Sequence, residues 1–282
     1  TALAELHRKQ GAYQEASREL DLARGLFLEL GDEAGVAQTL HYAGSVAAQQ
    51  GAYDRARELY HQSLEKRRGS DPAGVASLLS NLGIIAWFQG DFAEARRLYE
   101  ESLVLRRQLG NRWAIGNSLN NLGLVVRDMG DIAGARRLLE ECVAINREIG
   151  DRWSVANALG SLADVVISQG DTSAARQFLV ENLHINRELD DRTGLAFSLE
   201  LFAQLEAVCG HGRKALCLAG AAAGLREQIG APLSPYEQGR LDRALEGVTR
   251  VCADAEELRA KGRSMGLTLA MELALAPEGG GE

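Results

Sequence analysis

The chain has 282 residues, 46% of them hydrophobic but only 5% aromatic, and a formal net charge of -8. That charge argues against a nucleic-acid surface, which needs excess Lys and Arg to displace counterions. Only four prolines occur, so long helices are uninterrupted. No apolar run approaches the ~20 residues of a membrane span, and no signal peptide opens the sequence.

In chain order, one pattern recurs about every forty residues. A glycine opens each unit at Gly11, Gly51, Gly90, Gly130, Gly170 and Gly210. An alanine follows five residues later, at Ala16, Ala56, Ala95, Ala135, Ala175 and Ala215. Seven residues before each glycine stands Ala4, Gly44, Gly83, Gly123, Ala163 or Ala203. Such self-similarity predicts a solenoid of stacked helical hairpins. Residues 1–10 and 13–30 read as a truncated first hairpin; because Thr1 falls inside a repeat, a longer parent chain is expected. First helices are predicted near 35–50, 74–89, 113–129, 153–169 and 193–209, and second helices near 53–68, 92–109, 132–149, 172–189 and 212–229. Asn111 and the aspartates at 71, 91, 131, 151, 171 and 191 are their N-caps. Arginines near the second-helix ends (Arg67, Arg68, Arg106, Arg107, Arg147, Arg187) are read as complementing the helix dipole. After Gly230 a short linker leads to helices expected near 235–260 and 264–275, and residues 277–282 read as a disordered tail.

The small residue before each turn, the alanine after it, and Tyr99 or Leu139 four residues beyond that alanine resemble the tetratricopeptide repeat family. The forty-residue unit with Gly-Asp linkers resembles the long-unit subgroup of kinesin light chains and bacterial regulators. Leu225-Arg226, Gly230-Ala231-Pro232-Leu233, Pro235, Glu237, Gly262-Arg263-Ser264-Met265 and Ala274-Leu275 resemble the C-terminal region of bacterial signal-transduction ATPases and LuxR-type transcriptional regulators. Glu257-Leu258-Arg259 departs from that pattern, which often has aromatic residues there. The resemblance implies an all-α right-handed superhelical solenoid over 1–230, capping helices over 231–276, and a cytoplasmic protein that binds a protein or peptide, or a domain of its own parent chain, or a small ligand.

Motifs for chemistry are sparse. Gly262-Arg263-Ser264-Met265-Gly266 fits a hydrolase string, but the region reads as helical and no histidine follows it. Five histidines lack metal spacing, no phosphate-binding loop occurs, and the cysteines Cys142, Cys209, Cys217 and Cys252 form no C-x-x-C pair. No catalytic group, cofactor or metal is therefore expected. An enzyme would have to use Asp128, Asp164, Arg127 or His41. The informative surface is the first-helix face opposite the apolar stripe. It carries Asn81, Trp87 and Phe88, then Asn117, Asn120, Asn121 and Asp128, then Asn157 and Asp164, with Trp113 and Trp153 at the rim. Asparagine amides both donate and accept, which suits a peptide backbone, and the aromatics suit an anchoring side chain.

Overall fold

A computed structural model describes residues 2–277; Thr1 and residues 278–282, most of the expected tail, lie outside the described residues. All regular structure among the described residues is α-helical, and the chain divides into two compact units, Thr1–Gly130 and Asp131–Glu282. The first unit contains α1 (Ala2–Lys9), α2 (Tyr13–Glu29), α3 (Glu33–Gln49), α4 (Tyr53–Arg67), α5 (Pro72–Phe88), α6 (Phe92–Gln108) and α7 (Arg112–Asp128). The second contains α8 (Ile132–Ile149), α9 (Arg152–Ser168), α10 (Thr172–Glu188), α11 (Arg192–Val208) and α12 (Gly212–Ile229), then α13 (Pro235–Val251), α14 (Ala255–Arg263) and α15 (Leu267–Leu275). The repeat helices lie within two residues of their predicted positions.

Caps and turns explain that agreement. The carboxylates of Asp71, Asp91, Asp131, Asp151, Asp171 and Asp191 each accept a backbone N–H three residues on, as does the Asn111 amide oxygen. The intra-hairpin glycines adopt left-handed backbone, from φ 75° at Gly170 to 88° at Gly130. Among the described residues Asp190 is the non-glycine residue in that region, at φ 50°. Packing then demands small residues inside the hairpins. A Cβ on Gly83 would stand 3.0 Å from the buried ring of Tyr99. Where Leu179 replaces the tyrosine, Ala163 fits and both are fully buried.

A second clip recurs that the sequence reading did not anticipate. Ser63 Oγ donates to the Ala37 carbonyl at 2.7 Å, Ser102 Oγ to Ala76 at 2.7 Å, and Asn182 Nδ2 to Ala156 at 2.8 Å. These three pairs share one register, and each ties a second helix to its own first helix with a buried, satisfied polar group. The arginines at helix ends also do more than complement dipoles. Arg106 Nη1 reaches the Ala114 carbonyl at 2.9 Å and Ser118 Oγ at 2.8 Å, stitching α6 to α7.

The C-terminal part departs from the two expected helices and forms three. Cys252 is extended (φ -84°, ψ 109°), which ends α13 and returns α14 onto α12. There the backbones touch: a Cβ on Gly220 or Gly224 would overlap the carbonyl of Arg259 or Arg263, and one on Gly262 would overlap that of Cys217. Leu216, Cys217, Ala255 and Leu258 close a small core around this crossing. Ser264 ends α14 and donates to the Lys261 carbonyl, so the hydrolase-like string lies on a helix end and no strand precedes it.

Candidate functional site

In the first unit, α1, α3, α4 and α5 line an open pocket of about 520 Å³. Asn81, Ile84, Ile85 and Phe88 line it from α5, Ser45, Ala48 and Gln49 from α3, Tyr53 and Tyr60 from α4, and Arg8 from α1. Asn81 and Phe88 are thus brought to one cavity, as their shared helix face requires. Phe88 is 54% exposed, stacks on Tyr53 with ring centres 6.0 Å apart, and meets Trp87 at 5.2 Å. The Arg8 guanidinium is oriented by Glu5, which accepts from Nε at 2.8 Å and from Nη2 at 2.6 Å.

Polar groups around the pocket are pre-set. Asn81 Nδ2 lies 2.8 Å from His41 Nε2. An amide nitrogen can only donate, so Nε2 accepts and the ring proton sits on Nδ1. Burial, with a smaller contribution from the charge of Arg67, lowers the His41 pKa to about 4 and keeps the ring neutral at pH 7. Tyr60 donates to Ser45 Oγ at 3.2 Å, and burial raises its phenol.

The other predicted residues divide into two groups. Asn117, Asn120 and Asn121 are half-buried on α7, and Asn120 Oδ1 is buried with no hydrogen-bond partner among the described residues. Trp87 is not an idle aromatic: its Nε1 donates to Asp128 Oδ2 at 2.7 Å, and Arg127 holds the other carboxylate oxygen at 2.7 Å. Trp113 and Trp153 are more than half exposed, and Trp153 Nε1 donates to the cap residue Asp191 at 3.0 Å. In the second unit Asn157 is half-buried, but Asp164 is buried and engaged by Arg240 of α13, a contact that no local pattern signals. Glu206 was also missed. It has no exposed side chain and is bound by Arg176 at 2.8 Å, Lys214 at 3.0 Å and His211 at 2.7 Å. Burial alone would raise its carboxyl; those hydrogen bonds outweigh burial and lower it. Among the described residues no three His, Cys, Asp or Glu side chains gather as metal ligands, and no helix is long and apolar enough to cross a membrane.

Repeated hairpins with a first-helix face of amides and aromatics define an all-α helical-repeat scaffold. Two tetratricopeptide repeat profiles match, one over residues 36–69 and one over 74–148 and 114–188, together more than half of the chain. The chain belongs to the tetratricopeptide repeat family. No curated protein matches it. Solved structures of similar fold include BtubC (BKLC) from P. vanneervenii, 18% identical with TM-score 0.65, covering 79% of this chain and 92% of that one. Aspartyl phosphate phosphatase F from Bacillus subtilis is 12% identical with TM-score 0.67, covering 91% and 68%. A Rap protein complexed with Competence and Sporulation Factor is 17% identical with TM-score 0.62, covering 90% and 74%.

Proposed function

We propose that this chain is a non-catalytic binding scaffold that captures a peptide segment of a partner protein in the pocket of its first unit. The observation that carries the reading is the pocket itself. Its volume lies in the range of ligand sites, its wall is aromatic and aliphatic at Phe88, Tyr53 and Ile84, and Asn81, Gln49 and Arg8 provide a few polar groups. An apolar side chain would pack against the exposed part of the stacked Phe88 and Tyr53 rings and against Ile84 while its backbone bonds the amides. One structure of similar fold holds a bound factor, which fits a binding role. The residues at 225–237 and 262–275 support a place in a larger bacterial, cytoplasmic regulator, in which occupancy of the site would bias the parent between states. A free-standing adaptor would use the same pocket. Its volume also suits a small-molecule ligand.

The test is selection of binders from a displayed peptide library, followed by fluorescence anisotropy with the winning sequence. Phe88→Ala and Asn81→Ala should each weaken binding at least tenfold, equivalent to about 1.4 kcal/mol. Selected peptides bound equally by both variants would place binding elsewhere. A library that yields nothing, alongside thermal stabilisation by a metabolite set that Phe88→Ala abolishes, would favour the small-ligand reading.

A further inference from the structure

The same register positions have different surroundings in the two units. Tyr42, Asn81 and Asn121 are half-buried on the first-helix face of the first unit. Their counterparts in the second unit, Ser161 and Leu201, are only 7% and 1% exposed. Ser45, Ile84 and Leu124 are half-buried, as is their counterpart Gln204, whereas their other counterpart Asp164 is 7% exposed. A helix reaches over part of this face in the second unit. α13 packs on α11 and α12, and Arg240 Nη2 lies 2.9 and 2.7 Å from the two carboxylate oxygens of Asp164 on α9. Beside that arginine runs an apolar stripe at i, i+4 and i+7. Leu241 is 8% exposed, Leu245 is fully buried, and Val248 packs against the α12–α14 core. This is how an amphipathic helix is held in a groove, with an ion pair fixing its register.

Several features make the arrangement exchangeable. The five residues 230–234 join α12 to α13, and Ser234 with Glu237 forms a complete capping box, so α13 holds its own N-terminus without help from the groove. Most of its side chains remain exposed, and its burial is concentrated at Leu241 and Leu245. Glu237 also adds a like charge to the environment of Glu200, a buried carboxylate of the covered face that Arg226 already pairs. The fit is therefore not optimised for a permanent contact.

We propose that the first-helix face of the second unit is a helix-binding groove which α13 occupies in cis. Its partner is an amphipathic helix bearing an arginine followed by apolar residues one, five and eight positions later. This site is separate from the pocket of the first unit and does not depend on the reading of that pocket.

The probe is a fluorescein-labelled peptide of residues 233–251 added to the full chain. Leu245→Asp, with natural helicity verified by circular dichroism, should bind it at least tenfold more tightly than the natural chain, because the cis helix is released. Adding Asp164→Asn to that variant, or replacing Arg240 by Gln in the peptide, should reverse the gain at least tenfold. Should Leu245→Asp unfold, Arg240→Gln keeps the apolar stripe and should still raise peptide affinity at least threefold. Equal binding to natural and released chains overturns the proposal, as does a folded released variant that ignores the peptide. A released variant that doubles in mass by light scattering also overturns it, in favour of a second copy as the occupant.

Discussion

At the residue scale, the cap aspartates and His41 have the clearest energetic consequences. Asp151 accepts the Ser154 N–H at 3.0 Å and its hydroxyl at 2.7 Å, satisfying a donor that α9 cannot. Asp151→Ala should cost about 1 kcal/mol, read as a lower urea midpoint at unchanged slope. His41 titrates near 4 in the folded chain against about 6.5 unfolded. Between those values the unfolded state binds more protons, so stability falls as pH drops from 6.5 towards 4 and is fully retained above 6.5. His41→Gln should flatten that part of the profile of urea midpoint against pH. An unchanged profile would mean that other groups carry the dependence.

At the element scale, the α12–α14 crossing depends on glycine as the first-helix turns do, but for a different reason. Turn glycines are needed for positive φ, whereas Gly220, Gly224 and Gly262 are needed because a carbonyl occupies the Cβ position. Gly220→Ala should therefore destabilise by about 3 kcal/mol, the upper end for overpacking. Gly247 on α13 has no neighbour within 4 Å of a Cβ, so Gly247→Ala should stabilise by up to about 1 kcal/mol through helix propensity. Chemical denaturation of the two variants side by side checks both signs. The alanine- and glycine-rich run on α12 was not singled out in the sequence, and its partner could not be, because nothing local to α14 announces a backbone contact about forty residues away.

At the scale of the whole molecule, each helix relies mainly on its neighbours, so stability in such arrays is local. In Gly220→Ala, amide hydrogen exchange should quicken across α11, α12 and α14 and remain unchanged across α3 to α6 in the other compact unit. Uniform acceleration across all helices would show instead that the chain unfolds as one cooperative body.

The period-forty grammar determined the repeat helices and their caps. Those are local matters: left-handed glycines, aspartate caps and a 3.6-residue apolar stripe act within one or two turns of chain. Asn81 and Phe88 could be assigned to one face for the same reason. What only the tertiary structure decided is which parts of that face remain open. Trp87 is tied to Asp128 across 41 residues, Arg240 reaches Asp164 across 76, and Glu206 gathers cations from α10 and α12. The break at Cys252 belongs with these, since packing of α14 on α12 sets it rather than any proline or glycine. Such contacts join residues distant in sequence, and a repeat pattern encodes each unit's neighbours but not the helix that folds back over them.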